Sequence, residues 1–249
     1  MKKLLSYLLT PPFLLVWGLL LGVFHVLQVI AFTLFGATAH RHTVDALNFC
    51  LTHNLRLLGT RIRVRYSEDL PNDRPIIFIA NHQNKFDIPG IGWYLHRHAP
   101  RFVAKIELAK GIPSISYNLR RSGAALIDRS DPRQSLKEIG RLGKLIEDTR
   151  SSAVIFPEGT RSRTGVTGQF ASGGVKTLLK KAPNALIVPV YIHNTWALNR
   201  YGSFPMSAGE TIGWTVLPAI EPNGMTPDAV VTQAEQCIAT EYRNQHPKI

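Results

Sequence analysis

Hydrophobic residues follow two kinds of pattern along this chain of 249 residues, one typical of strands and one typical of helices, and the two alternate. Short apolar or alternating runs have the length and composition of strands, at 61–66, 75–80, 101–104, 123–127, 153–156, 185–192 and 211–217. Apolar residues at three- and four-residue steps predict a helix at 43–58. We predict further helices near 113–121, 132–148 and 174–181, between the strands, and a last helix near 227–242. Because strands and helices alternate, we predict a single α/β domain with a mostly parallel central sheet flanked by helices.

Several helix ends carry recognisable signals. Gly59 follows the helix at 43–58 and should stop it. Ser130 or Asp131 should cap the helix at 132–148, with Pro132 in its first turn, and Thr226 should cap the last helix.

The first 42 residues have a different pattern. Lys2-Lys3 precede the apolar run Leu4–Leu9, Pro11-Pro12 should break the helix, and Phe13–Ala39 contains no Asp, Glu, Lys or Arg. About 20 apolar residues span a bilayer core, so this stretch is long enough for a membrane anchor. We therefore divide the chain into an anchor at 1–42 and a domain at 43–249.

Two alternatives to a spanning anchor remain. A cleaved signal peptide would explain the lysine pair and the cleavage-like Ala37-Thr38-Ala39, but the apolar region is too long for a typical one. A helical hairpin within one leaflet is also compatible, because glycines and polar residues interrupt the run. The sequence favours an anchor and leaves its topology open.

The charge and the cysteine content limit which classes of binding partner and which kinds of site we expect. The formal net charge of +12 and a pI near 10.0 indicate an anionic partner. The basic residues are scattered, without a recognition helix or an aromatic RNA-binding signature, so a membrane surface and a phosphate-bearing substrate fit better than nucleic acid. Cys50 and Cys237 belong to no metal-binding or disulfide pattern, so we expect neither a metal site nor a disulfide framework.

A histidine and a carboxylate follow the buried run at 75–80. His82 and Asp87 are five residues apart, which on a helix would separate them by roughly 140° and on a strand would place them on opposite faces. They can meet only if the backbone bends at Gln83-Asn84 and a helix starts near Asp87. An imidazole that donates one N–H to a carboxylate keeps its other nitrogen as a base. Alternatively, the pair is an ordinary polar strand end.

A second block, Phe156–Ser162, follows the apolar run at 153–156. Together with Val188-Pro189-Val190 and the segments 105–108 and 123–129, the two blocks resemble the glycerolipid acyltransferase family in order and approximate spacing. The resemblance covers Pro75–Tyr191, nearly half of the chain.

The resemblance implies a membrane-bound O-acyltransferase. It would move an acyl chain from coenzyme A or acyl carrier protein to the free hydroxyl of a lysophospholipid, with 1-acylglycerol-3-phosphate as the expected acceptor. His82 would be the base and Asp87 would orient it, so neither a nucleophilic side chain nor a cofactor is needed. The family also implies the bacterial inner membrane, with the domain on the cytoplasmic side.

The second block would then bind substrate. Gly159 allows close backbone approach, Thr160 offers a hydroxyl, and Arg161 presents a planar fork suited to phosphate. Lys105 would add a positive charge, although a surface role is also compatible. Glu158 would either order the loop or bind a substrate hydroxyl.

One departure from the family pattern affects the acceptor. Many members carry a basic residue directly after the Phe that follows the second block, whereas here Phe170 is followed by 171–174 without a cation before Lys176. Another lysolipid, such as a lyso-aminolipid, is therefore an alternative acceptor. A third alternative is a non-catalytic lipid-binding membrane protein.

Overall fold

Seven strands form one sheet in the computed structural model, which describes residues 1–246. They are β1 Arg61–Tyr66, β2 Ile76–Ala80, β3 Pro100–Lys105, β4 Ala125–Ile127, β5 Ser152–Ile155, β6 Leu186–His193 and β7 Thr211–Val216. The strand order is β1-β7-β6-β2-β5-β3-β4, and all neighbours are parallel except β6 and β7. Every residue of the central strand β2 is buried, because apolar side chains on both of its faces are covered by helices.

Six helices cover the sheet: α1 Lys2–Asn54, α2 Asp87–Tyr94, α3 Ile115–Arg121, α4 Pro132–Thr149, α5 Gly173–Lys181 and α6 Pro227–Gln245. Ile76 and Phe78 of β2 pack with residues of α1 and α2 on one face. Ile77 and Ile79 pack with α4, α5 and α6 on the other. The predicted fold class is therefore confirmed.

The predicted helix ends agree closely with the structure. Asp131 caps α4 by accepting the N–H of Gln134 at 3.0 Å, and Thr226 caps α6 by accepting the N–H of Ala229 at 3.2 Å. Gly59 ends the first helical region in the left-handed conformation, with φ of 70°. The helix predicted at 43–58 ends in a 3-10 turn at 55–58, and the pattern did not predict the 3-10 turns at 96–98, 106–109 and 195–199.

The long helix α1 is broken at Gly36, which has φ of 79° and ψ of −167°. The predicted break at Pro11-Pro12 is wrong, because the helix continues through both prolines. Proline removes an N–H donor, but its φ suits a helix. Contacts on either side of the pair keep it in place: Thr10 accepts the N–H of Met206, and Phe13 is fully buried.

Gly36 turns α1 into an antiparallel hairpin of two arms, 2–35 and 37–54. The Asn54 side chain donates to the Phe13 carbonyl at 3.2 Å, and the rings of Phe32 and His40 meet at 5.7 Å. Only a chain that folds back on itself brings these pairs together. The predicted division at residue 42 falls inside the second arm and stays a prediction.

The first arm contacts the domain on one side and exposes apolar side chains on the other. Its beginning is held by Lys2, which bonds Glu210 at 2.8 Å, and its middle by Gln28, which donates to Ser114 at 2.6 Å. Large apolar side chains remain exposed at Leu4, Leu8, Leu15, Leu19, Val23, Val26, Leu34 and Phe35. In length and composition, Lys2–Leu58 is sufficient to cross a membrane.

Candidate active site

The carboxyl ends of β2, β5 and β3 meet at one edge of the sheet, because these strands are parallel neighbours. His82 follows β2, the segment from Glu158 to Arg161 follows β5, and Lys105 ends β3. The topology therefore brings to one edge all the residues that the sequence singled out, which lie far apart along the chain.

The backbone bends between His82 and Asp87 as the spacing requires. Asp87 begins α2, and its N–H returns to the Asn84 carbonyl at 3.2 Å. His82 Nδ1 then lies 2.8 Å from Asp87 Oδ2. The same oxygen accepts the backbone N–H groups of Gln83 at 2.7 Å and Asn84 at 2.8 Å. The carboxylate also benefits from its place in the first turn of a helix.

Asp87 is fully buried and is surrounded by donors. Its second oxygen, Oδ1, accepts the hydroxyl of Thr195 at 2.5 Å. Four donors converge on the two oxygens, which fits an acceptor-only carboxylate. Because a carboxylate can only accept, His82 Nδ1 carries the proton. Nε2 is therefore left as the basic nitrogen, and it has no hydrogen-bond partner within 1–246.

Phe156 fixes the plane of the His82 ring. The two rings are stacked, with centroids 4.2 Å apart and planes inclined by 22°. The His82 side chain keeps 16% of its surface exposed, so the imidazole is supported on one face and accessible from outside. Stacking and the Nδ1 bond together restrain both the tilt and the rotation of the ring.

Amide side chains connect the loop at 81–87, which contains His82, to the end of β6. Asn81 exchanges two hydrogen bonds with the backbone of Ile192, at 2.6 and 3.0 Å. Gln83 donates to the Ile192 carbonyl at 2.9 Å, and Asn84 donates to the Thr195 carbonyl at 2.9 Å. Sequence reasoning did not identify these residues or Thr195 as parts of the site, since the partners lie about 110 residues apart and no local pattern connects them.

Glu158 connects the two loops of the site. Its Oε1 accepts the backbone N–H of His82 at 2.7 Å, and its Oε2 accepts that of Gly168 at 2.7 Å. Burial raises the pKa of the Glu158 carboxyl, and the two N–H donors partly oppose that effect. The N–H of Ser162 also donates to the His82 carbonyl at 2.8 Å. These bonds support a loop-ordering role for Glu158.

The remaining residues of the second block are open to solvent. Gly159 adopts a φ of 67° in a turn closed by its own N–H to the Phe156 carbonyl at 3.1 Å, a conformation that favours glycine. Thr160, Arg161 and Lys105 are exposed. In the described part of the chain, neither Arg161 nor Lys105 forms an ion pair with a carboxylate. Their roles in substrate binding stay predictions.

Comparisons with known proteins agree with this arrangement. The family model described as Acyltransferase matches residues 61–193. The chain is 27% identical to a 1-acyl-sn-glycerol-3-phosphate acyltransferase of Pseudomonas aeruginosa over 233 residues, covering 92% of this chain and 84% of the relative. It is 34% identical to a protein of the same name from Borreliella burgdorferi over 148 residues, covering 59% of this chain and 56% of that relative.

A solved structure has the same fold. The crystal structure of the 1-acyl-sn-glycerophosphate (LPA) acyltransferase PlsC from Thermotoga maritima superposes with a TM-score of 0.80 over 100% of this chain and 99% of that one. The two sequences are 21% identical, so this comparison supports the architecture alone.

Proposed function

Because the chain belongs to the Acyltransferase family, we propose that it acylates 1-acylglycerol-3-phosphate at a membrane surface, taking the acyl chain from a thioester of coenzyme A or acyl carrier protein. The observation that carries the proposal is the His82–Asp87 pair. Nδ1 is bound at 2.8 Å to a carboxylate, which leaves the accessible Nε2 as the base.

In the proposed reaction, Nε2 of His82 accepts the proton of the acceptor hydroxyl while the oxygen attacks the thioester carbonyl. Asp87 stabilises the imidazolium that forms, as the carboxylate does in hydrolase triads. The tetrahedral intermediate then expels the thiolate, which takes the proton from the imidazolium. One C–O bond forms, one C–S bond breaks, and His82 returns to its starting state. No residue of the protein becomes acylated.

The acceptor's phosphate would be held by the second block. Arg161 and Lys105 are exposed at the same edge as His82, and neither is neutralised by a carboxylate of residues 1–246. The names of the relatives support a phosphate-bearing acceptor. The hydroxyl of Thr160 would add a hydrogen-bond donor, and Gly159, which has no side chain, would let the phosphate approach the backbone closely.

A second candidate acceptor follows from the segment after Phe170. Residues 171–174 contain no cation, and Lys176 is the first one. A lysolipid with a different headgroup, such as a lyso-aminolipid, would need less positive charge at this place. The donor's identity is also part of the proposal, since a basic surface suits both an acidic carrier protein and the phosphates of coenzyme A.

We propose further that α1 lies along one leaflet, with its exposed apolar side in the lipid. The first arm is bonded to the domain from Lys2 to Gln28, so it would have to leave these contacts to cross a bilayer. Its exposed leucines and valines provide an apolar surface of the kind that interfacial helices bury. The bacterial inner membrane, with the domain on the cytoplasmic side, is the proposed location.

The test is acyl transfer by the purified, detergent-solubilised protein from labelled acyl-CoA and from acyl carrier protein to a panel of lysolipids. We expect phosphatidate from 1-acylglycerol-3-phosphate. A product from a different lysolipid alone would replace the acceptor, and transfer to none of them would refute the proposed function.

Arg161→Ala tests the phosphate role within the same assay. Losing a charged bond to phosphate should raise the KM for 1-acylglycerol-3-phosphate by roughly 10- to 100-fold, with a smaller effect on kcat. Arg163→Ala is the matched control, because Arg163 is also exposed and lies in the same loop. An unchanged KM in the Arg161 variant would contradict the phosphate role.

A further inference from the structure

Lys85 lies inside the loop that joins His82 to Asp87, and the mechanism above does not use it. Its ammonium is positioned by aromatic rings from two elements. Nζ lies 5.1 Å from the centroid of the Trp17 ring in α1 and 5.3 Å from that of Phe86. Phe86 is buried and packs edge-on against Phe13 of α1 at 5.8 Å. The first arm of α1 therefore sets where this cation sits.

No carboxylate of residues 1–246 neutralises Lys85. Among residues 1–246, it takes part in no ion pair, although other basic residues do, such as Lys2 with Glu210 and Arg74 with Glu221. Two aromatic faces attract a cation but carry no net charge. The positive charge of Lys85 is therefore not balanced by any of the described residues.

Arg161 is a second cation close to Lys85. The N–H of Ser162 donates to the His82 carbonyl at 2.8 Å, which brings the residue after Arg161 against the loop that contains Lys85. Lys85 is exposed to solvent, but the groups packed around its stem partly desolvate the ammonium and lower its pKa, and the charge of Arg161 lowers it further. The repulsion between these two cations beside the catalytic base destabilises the ligand-free protein, and a bound anion would relieve that repulsion.

A phosphomonoester matches this arrangement. It carries about −1.5 to −2 charges near neutral pH, and its three oxygens let two cations bind at once. The planar guanidinium of Arg161 can contact two oxygens, and the ammonium of Lys85 can bind the third as a point charge. A phosphodiester has less charge and fewer free oxygens, so it would bind the same pair less well.

We propose that Lys85 and Arg161 together bind one phosphomonoester of a bound substrate, and that Trp17 is a positioning residue that holds Lys85 at this site. The inference rests on the proposed function. The group that fits is the phosphate of 1-acylglycerol-3-phosphate. The 3′-phosphate of coenzyme A has the same chemistry, and the experiment separates the two sources.

The experiment compares Lys85→Gln with Lys85→Arg in the detergent-solubilised full chain. In Lys85→Gln, the KM for 1-acylglycerol-3-phosphate should rise about tenfold with kcat within about twofold, because a binding charge is lost while the base remains. Lys85→Arg should restore most of the affinity. Lys137→Gln, on the exposed surface of α4 across the sheet, is the matched control.

The double variant Lys85→Gln/Arg161→Ala tests whether the two residues share one phosphate. If they do, the double variant should raise the KM by less than the product of the two single effects, since each single change already disrupts the shared site. Independent, multiplicative effects would overturn the shared site.

The KM values for the acceptor and for each acyl donor, measured in the same variants, identify the source of the phosphate. A rise in the KM for 1-acylglycerol-3-phosphate, with acyl-CoA and acyl carrier protein unaffected, assigns the site to the acceptor. A rise for acyl-CoA alone keeps the phosphomonoester site and assigns it to coenzyme A. If Lys85→Gln melts at the wild-type temperature and changes neither KM, the proposal is overturned.

A binding measurement separates failure of this inference from failure of the proposed function. Binding of an anion to Lys85 should change the surroundings of the Trp17 ring and therefore the Trp17 fluorescence, with Trp17→Phe as the spectroscopic reference. The titrant is 1-acylglycerol-3-phosphate in micelles, and monoacylglycerol is the phosphate-free blank. Wild-type binding that disappears in Lys85→Gln supports the inference even if no acyl transfer occurs. No wild-type response, or equal binding by both proteins, excludes the acceptor as the source of the phosphate, and the same result with coenzyme A as the titrant refutes the inference.

Discussion

Two histidines lie at the carboxyl ends of neighbouring parallel strands, and they differ in their hydrogen-bond partners and in the charges around them. His82 follows β2, and its Nδ1 donates to the buried carboxylate of Asp87 at 2.8 Å. His193 ends β6, and its Nδ1 is buried without a hydrogen-bond partner in the described residues. The same residue type, at the same edge of one sheet, therefore has two environments.

The difference is one of charge. The neighbour of His82 is the carboxylate of Asp87. His193 lies 5.4 Å from the His246 ring and near two arginines of β1, and burial, followed by these positive neighbours, lowers its pKa to about 4. Glu241 opposes the shift only in part. The comparison teaches that position at a strand end does not determine the environment of a histidine. Of these two, only His82 combines a partly accessible ring with a hydrogen-bonded carboxylate, as the proposed base requires.

Replacing each histidine by alanine gives the largest expected contrast. His82→Ala should lower kcat by about 10²–10⁴-fold, because the base is lost and no other group of the site replaces it. His193→Ala should keep activity within about twofold in the folded fraction. Initial rates of acyl transfer check both results, with circular dichroism to verify folding.

A His82→Ala protein that is as active as the wild type would eliminate the assigned base. Equal losses in both variants would show that the contrast between the two strand ends has no catalytic meaning.

Thr195 offers a finer test, because its hydroxyl bonds Asp87 and makes no hydrogen bond to His82 within residues 1–246. Thr195→Val removes the hydroxyl that donates to Asp87 Oδ1 at 2.5 Å while nearly keeping the shape of the side chain. We expect kcat to fall about tenfold and the free energy of unfolding to drop by about 1–2 kcal/mol, since a buried carboxylate loses a donor.

Thr195→Ser keeps the hydroxyl and should restore both kcat and stability. A serine variant as impaired as the valine variant would mean that the methyl group matters and that the hydrogen bond to Asp87 does not.

The smallest expected effect concerns His193 and pH. The unfolded imidazole takes up a proton near pH 6.5, whereas the folded one resists protonation until about pH 4. Because the unfolded state binds more protons in this window, stability falls as pH drops from 6.5 towards 4. Between pH 8 and pH 5, the free energy of unfolding should fall less in His193→Gln than in the wild type, by about 1 kcal/mol, because glutamine does not titrate.

Thermal unfolding in detergent at pH 8 and pH 5 measures this difference. At pH 8 both folded and unfolded imidazoles are neutral, so that measurement reports the packing effect of the substitution alone. Identical losses for the two proteins between pH 8 and pH 5 would show that His193 is not held neutral by its surroundings.

Much of the fold was predictable, because it depends on local patterns. The apolar run at β2 is buried on both faces, and the five-residue spacing of His82 and Asp87 demanded the bend that the structure contains. Asp131 and Thr226 each satisfy the start of the following helix, a local bond that their residue types signal.

The rest depends on contacts that no local pattern records. Thr195 reaches Asp87 across 108 residues, so its residue type alone gave no hint of the bond. Pro11-Pro12 looked like a helix break, but contacts of their neighbours with the domain hold the helix there, and Gly36 provides the turn. The sequence analysis assigned no role to Lys85, because only the fold brings Trp17 next to it.

The bonds at the beginning of α1 also have a consequence in time. Lys2, Ser6 and Thr10 are held by Glu210, Ala208 and Met206, with sequence separations of 208, 202 and 196 residues. A ribosome makes almost the whole domain before these partners exist, and contacts of such long range form slowly. Until then, the side of the first arm that faces the domain has no partner. A membrane beside the nascent chain would bind the opposite, apolar side and hold the arm in place until residues 206–210 are made. Lipid would then act on the folding of this enzyme before the enzyme acts on lipid.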